Sequence, residues 1–361
     1  MSSAPTTSST APRPAVIAVD AMGGDEAPEA VVKGARAALS DACQIVLVGD
    51  EAKLRGRFGA LLEAPGLRIA HASEVIGMDE TPSTALEKKK DASMVVAARL
   101  VKEGQAQALV SAGNTGALMA GSLLTMGRLK GIRRPAIAVK WPTYDAHVDH
   151  VLVLDCGANA ETKPEYLLQF AHMGAVYMQR VTGRSSPRVG LLNIGGEVGK
   201  GGTLVNAAYG LLEASGLRFV GNIEPTQMMR GVCDVVVTDG FSGNMILKTG
   251  ETVAEMIMST IKSGVRATLR AKIGAWLMKP VFLDVKKKVD HSEYGGALLL
   301  GLRAPVVKAH GRSNERAIEN AIRVAARAVS EDVIGHIRRS IEADAGEPSG
   351  GGGSASSAAN V

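Results

Sequence analysis

Short apolar runs that stop at small polar residues and pass straight into a helical pattern recur along this chain, and this repeat restricts the fold most. The clearest copy is DVVVTDGFSGNMILK (234–248). Val235, Val236 and Val237 form a β-branched run with no polar break, which suits a strand buried on both faces of a parallel sheet. Asp239, Gly240, Phe241, Ser242, Gly243 and Asn244 make a turn rich in small polar residues, and Met245, Ile246 and Leu247 open a helix. Ala15–Val19, Ala108–Val110, Val151–Leu154, Arg188–Leu192 and Phe219–Val220 each stop in the same way, and Gln44–Val48 and Arg68–Ala72 read as further strands. Such β-α-β alternation predicts a parallel sheet covered by helices. Ligands of open α/β sheets sit beyond the carboxyl ends of strands, against helix N-termini. The polar strand ends therefore predict a shared cleft along one sheet edge. Each turn, taken alone, also suits an ordinary Ser or Asn cap.

Aromatic residues make up only 3% of the 361 residues, so the core must be built from Ala, Val, Leu, Ile and Met. A formal charge of +5 and a pI of about 9.1 favour anionic ligands or surfaces. No stretch interleaves basic with aromatic residues, which argues against nucleic acid. Cys43, Cys156 and Cys233 form no CxxC and lie in or beside apolar stretches, as buried free thiols do in a reducing compartment. The seven histidines lack metal-ligand spacing, so no metal is expected. The first residues lack the apolar core of a secretory signal, and no run of about 18 apolar residues suggests a membrane span. Residues 1–14 and 343–361 are expected to be disordered tails around one α/β domain at 15–342.

Nucleotide motifs are missing. No GxGxxG links a strand to a helix, and GGEVGKG (195–201) has the wrong spacing for a P-loop. Oriented amides with Asn, Ser and Lys remain, a set suited to an oxyanion such as phosphate.

Residues 251–290 differ from the rest. Ile257, Ile261, Val265, Leu269, Ile273, Trp276 and Leu277 keep helical spacing, and Pro280 is expected to break or bend that helix. Eight basic residues fall between Lys262 and Lys288 (Lys262, Arg266, Arg270, Lys272, Lys279, Lys286, Lys287, Lys288), against Asp284 alone. Such a segment either lies on an anionic membrane surface, with Ile261, Leu269, Ile273, Trp276 and Leu277 as contacts, or packs on a partner subunit. Ile318, Ile322, Val329, Val333, Ile337 and Ile341 predict one long final helix.

Eight segments together carry a family resemblance: AVDAMGGD (18–25), SAGNTGALM (111–119), LDCGAN (154–159), SPRVGLLNIG (186–195), VGNIE (220–224), DVVVTDGFSGNMILKT (234–249), YGGALLLGL (294–302) and APVVKAHGRSN (304–314). In this order they resemble the PlsX family of bacterial acyl-acyl-carrier-protein:phosphate acyltransferases, over roughly residues 15 to 340. The resemblance implies a three-layer α/β/α sandwich with a mostly parallel, Rossmann-like sheet and a protruding helical segment. It implies a cytoplasmic homodimer, peripheral at the inner face of the cell membrane. The expected reaction moves a fatty acyl group reversibly from acyl-acyl-carrier protein to inorganic phosphate, without a cofactor. The acyl phosphate would feed a membrane glycerol-3-phosphate acyltransferase in phospholipid synthesis. Glu87 departs from the family, standing where an Arg is expected.

Phosphate attack on a thioester needs a held phosphate, a stabilised tetrahedral oxyanion and a tolerated thiolate. Phosphate binding is therefore assigned to Gly113, Asn114, Thr115 and Gly116 and to Ser242 and Gly243, with Lys163 as a further cation. Asn244, Lys248 and His310 are the expected catalytic residues, His310 for proton transfer or oxyanion donation unless it is a structural residue beside Gly311. Two other readings stay open: a short-chain phosphate acyltransferase using acyl-CoA, and a non-catalytic phosphate- or carrier-binding scaffold.

Overall fold

The computed structural model describes residues 14–145, 148–289 and 295–346. The first part of the chain runs β1 (Ala15–Asp20), α1 (Glu29–Ala38), β2 (Cys43–Gly49), α2 (Glu51–Leu62), β3 (Leu67–His71), α3 (Pro82–Lys88), α4 (Ser93–Lys102), β4 (Ala108–Ser111) and α5 (Thr115–Met126). A long strand β5 (Ala136–Pro142) leads into β6 (His150–Leu154), α6 (Pro164–Thr182), β7 (Val189–Leu192), α7 (Thr203–Glu213), β8 (Phe219–Ile223), α8 (Pro225–Met229) and β9 (Val235–Val237). Three helices follow, α9 (Gly240–Ala267), α10 (Leu269–Leu277) and α11 (Lys279–Val289). The chain returns to the sheet as β10 (Ala297–Leu300) and β11 (Val306–Lys308) and ends in α12 (Glu315–Ser330) and α13 (Val333–Gly346).

All the strands join one sheet in the order β3-β2-β1-β4-β11-β10-β5-β6-β9-β7-β8. Two parallel blocks make it: β3, β2, β1, β4 and β11 run together, and so do β6, β9, β7 and β8. Antiparallel pairings of β10 with β11 and β5, and of β5 with β6, turn the second block against the first. The two blocks are also displaced along β5. Ala136–Ala138 pair with β10, whereas Val139–Pro142 pair with β6. Ser111, Lys308 and Ala297 lie side by side at the end of the first block, and Ala297 is one step from the Leu298–Ala138 pair. The end of β6 reaches the same level of β5, where the Ile137 N–H donates to Asp155 Oδ1 at 2.9 Å and the Cys156 N–H to the Ile137 carbonyl at 3.0 Å. The polar strand ends thus do not share one edge. They belong to opposed edges of two half-sheets that face each other across the middle of β5.

Side chains alternate across the sheet and build a core on each face. Ile17, Val19, Ile45 and Leu47 pack toward α1, α6 and α12, while Ala18, Val46 and Val48 pack toward α4 and α5. Each fully buried aliphatic side chain contributes about 1.5–3 kcal/mol. These helix-covered faces complete the three layers of the α/β fold.

Two helical expectations need correction. The final helix is interrupted: α12 ends at Ser330, Asp332 takes a left-handed φ of 45°, and α13 restarts at Val333. Val329 and Val333 are four residues apart, so apolar spacing continues through the turn and hides it. The break in the 251–290 segment falls at Thr268 and Met278 rather than at Pro280. Thr268 is extended and its Oγ1 accepts the Ala271 N–H at 3.1 Å. Pro280 lies in the first turn of α11, where a missing N–H breaks no helical bond. The expected tails fall mostly outside the described residues, although α13 runs past 342 to Gly346. Among the described residues, no helix is long and apolar enough to cross a membrane.

Candidate active site

Between the two half-sheets lies a cavity of about 640 Å³ that is mainly apolar. Ile137, Val139, Trp141, Met229, Leu247 and Ile257 line its trough, and Thr115, Asn244, Lys248, Lys308 and His310 gather at one end. There it adjoins a polar recess of about 360 Å³, which shares Thr115, Lys248, Glu251, Glu255, Lys308 and His310 and adds Asp25 and Arg312.

The first wall is set by Asp20 at the end of β1. Its buried carboxylate accepts the Ser93 and Ser111 hydroxyls, each at 2.6 Å, tying β1, α4 and β4 together. Ser111 Oγ in turn accepts the Gly113 N–H at 3.0 Å. Asn114 caps α5, its Oδ1 accepting the Ala117 N–H at 3.0 Å. Its Nδ2 donates to the carbonyls of Met78 at 2.9 Å and Glu80 at 3.0 Å, which fastens the 77–80 loop. Thr115 then opens α5 at the cleft, where helix N–H groups and the positive end of the dipole suit an anion.

Asp155 organises the opposite wall in the same way. Its buried carboxylate accepts the N–H groups of Ile137, Ala158 and Asn159 and the Asn159 side-chain amide, at 2.8–3.0 Å. Burial pushes this carboxyl up, and those donors pull it partly back. The start of α9 lies directly on this loop. A Cβ on Gly243 would stand 1.9 Å from the Asp155 carbonyl, and one on Gly240 2.3 Å from the Asn159 carbonyl. Only glycine permits this approach, which carries Asn244 and Lys248 to the cavity.

The expected residues divide accordingly. Thr115, Asn244, Lys248 and His310 line the main cavity together. Gly113, Asn114, Gly116, Ser242, Gly243 and Lys163 line neither cavity. The Ser242 hydroxyl donates to Asp239 Oδ2 at 2.7 Å, and the Gly243 N–H to the Asp239 carbonyl at 3.0 Å, as parts of the α9 cap. Lys163 is exposed at the N-cap of α6. Lys248 is exposed and pairs with Glu251 at 2.8 Å. His310 Nδ1 accepts the Arg312 N–H at 3.2 Å.

Lys308 had not been singled out from sequence. It ends β11 and is only 9% exposed. Its Nζ donates to the carbonyls of Ala112 and Ala309. Burial pushes it down to about 8, with Lys248 adding to the shift and Asp20 and Asp25 opposing it. Its signal was present: a charge directly at the carboxyl end of the apolar Val306-Val307 run. Cys156 also lines the cavity, but burial, Asp155 and Glu251 push its thiol upward, so it is a poor thiolate nucleophile. Among the described residues, no group of three or more His, Cys, Asp or Glu is placed to hold a metal ion.

Fold and site define an α/β protein whose central cleft joins a charged, polar recess to an apolar trough. A family described as "Fatty acid synthesis protein" matches residues 15–336. A phosphate acyltransferase of Heliobacterium modesticaldum is 50% identical over 331 residues, covering 90% of this chain and 97% of the relative. One of Shouchella clausii is 46% identical over 328 residues, covering 90% and 98%. The EutD phosphotransacetylase of Staphylococcus aureus shares the fold, with a TM-score of 0.56 at 15% identity over 87% of this chain and 94% of that one. The chain belongs to the phosphate acyltransferase family, a family of acyltransferases.

Proposed function

We propose that this protein transfers a fatty acyl group reversibly from acyl-acyl-carrier protein to inorganic phosphate, giving an acyl phosphate for phospholipid synthesis. The observation carrying this reading is the junction of a mainly apolar cavity of about 640 Å³ with a recess holding Lys248, Lys308 and His310. Phosphate sits in the recess against Lys308, Lys248 and the start of α5 at Thr115. One phosphate oxygen attacks the thioester carbon, and the C–S bond breaks. The proton of the attacking phosphate ends on the carrier thiol. Lys308, Asn244 and His310, which line the same cavity, donate to the tetrahedral oxyanion in this reading, and His310 serves the proton. The acyl chain lies along Ile137, Val139, Trp141 and Met229, each buried CH₂ contributing about 0.8 kcal/mol, or roughly fourfold in affinity.

The trough supports a long acyl chain over the short-chain acyl-CoA reading, and the buried Lys308 beside Lys248 and His310 supports catalysis over a passive scaffold. The 251–290 segment supports contact with an anionic membrane surface, where a membrane glycerol-3-phosphate acyltransferase would receive the product. Its remaining apolar surface supports a homodimer. A donor panel tests the central assignment. With phosphate in excess, kcat/KM should rise steeply from acetyl-CoA to palmitoyl-carrier protein. Equal turnover of the two donors would return the assignment to a short-chain enzyme.

A further inference from the structure

A second cavity, of about 600 Å³, lies outside the active-site cleft, between α4, α5 and the end of α3. Leu86, Val95 and Leu124 supply its apolar surface. Leu124 is 78% exposed, although α5 buries Leu118 completely. Lys90, Arg99 and Lys102 form a basic rim, with Glu103 the only acid among the lining residues. Glu103 accepts the Gln105 side-chain amide at 3.0 Å. Lys90 and Arg99 spend their donors on backbone, at the carbonyls of Leu86 (3.0 Å) and Lys90 (2.9 Å). Arg99 also acts on the Asp91 carboxylate and helps hold it below its ordinary value. Among the described residues Lys90 and Lys102 have no carboxylate partner, whereas Lys33, Lys53 and Arg55 elsewhere on the surface are paired. An apolar groove between helices with the unpaired Lys90 and Lys102 along its rim fits an amphipathic helix with acidic flanks.

We propose that this groove docks the acidic acyl-carrier protein that delivers the thioester, an inference resting on the acyl-transfer reading above. The placement along α5 supports it. Thr115 lines the active-site cavity at the helix start, and Leu124 lines the groove nine residues on, about 14 Å along the axis. A carrier seated on Leu124 would stand about 14 Å along α5 from the cavity mouth at Thr115, the span its thioester arm would cross. The apolar contact supplies affinity. The three cations steer encounter and fix the carrier's orientation.

The test uses the full-length protein, wild type and Lys90→Glu/Arg99→Glu/Lys102→Glu, with Leu124→Glu as a second variant. Fluorescently labelled carrier protein without an acyl group is titrated in the absence of phosphate. Wild type should bind it, and each variant should weaken binding by roughly tenfold or more. In steady state, KM for palmitoyl-carrier protein should rise by a similar factor at nearly unchanged kcat, while palmitoyl-CoA turnover stays at the wild-type level. Carrier binding within twofold of wild type in both variants would overturn the proposal, as would an equal loss with both donors. Weakened binding to anionic vesicles with intact carrier binding would also overturn it, by assigning the groove to a membrane surface. Failure of wild type to transfer acyl groups would sink the acyl-transfer reading instead, because the carrier titration does not depend on turnover.

Discussion

Lys308 combines positive charge, burial and a position at the junction of recess and trough, so its protonation should govern phosphate use. Its folded value is pushed down to about 8 from an ordinary 10.5. The cation is therefore lost as pH rises through about 8, and kcat/KM for phosphate should fall across that range. Lys308→Arg keeps the charge at all these pH values and should flatten that limb, whereas Lys308→Met should lose about 10²–10³-fold at neutral pH. A wild-type limb persisting in Lys308→Arg would assign the titration elsewhere. Stability runs the opposite way. Between about 8 and 10.5 the unfolded chain binds more protons than the folded one, so stability should rise with pH through that window. At this scale the sequence disclosed the cavity residues Thr115, Asn244, Lys248 and His310 but not Lys308, whose importance comes from desolvation that only the closed cleft creates. It also could not show that the Asn114 amide is consumed by the 77–80 loop, because those hydrogen bonds join positions more than thirty residues apart.

Helix α9 meets two different environments, and one substitution should report both. In Gly243→Ala the new methyl would lie 1.9 Å from the Asp155 carbonyl, a backbone atom that cannot rotate away. Overpacking of about 1–3 kcal/mol should exceed the roughly 1 kcal/mol gained in helix propensity, so Tm should fall. At Gly264→Ala a Cβ meets nothing within 4 Å, and Tm should hold or rise. A fall at both positions, measured by thermal melting, would refute the packing account. Farther along, Leu269 and Trp276 are 75% and 74% exposed, so this chain does not cover them. Wild type should sediment with anionic vesicles more than with neutral ones, since each Lys or Arg near such a surface is worth about 1 kcal/mol. Trp276→Glu/Leu277→Glu should abolish that sedimentation without changing the oligomeric state. Equal sedimentation of both proteins would remove the membrane contact, and a change of oligomeric state in the variant would identify a subunit interface. Most of the parallel strands are legible as apolar runs closed by a polar turn. β5, β10 and β11 escape that pattern: β10 is a Leu298-Leu299-Leu300 run that suits a helix equally, β11 ends in Lys308, and β5 carries Lys140, Trp141 and Pro142.

The cleft is a product of topology: the two parallel blocks run in opposite directions and are displaced along β5, so their carboxyl ends converge. Strand-end chemistry in the sequence pointed to a shared site, but a single edge was the simplest placement. The reversal depends on β10 and β5, the elements that local pattern left unassigned. Convergence brings Asp20 and Asp155, from β1 and the β6 loop, to opposite walls of one cavity, and the account stands on the chemistry enclosed between them. The most direct measurement follows free carrier thiol and acyl phosphate together as purified protein meets palmitoyl-carrier protein, with and without inorganic phosphate. Thiol and acyl phosphate should form in equal amounts, and only when phosphate is present. Thiol release at the same rate without phosphate, or with no acyl phosphate formed, would contradict the account.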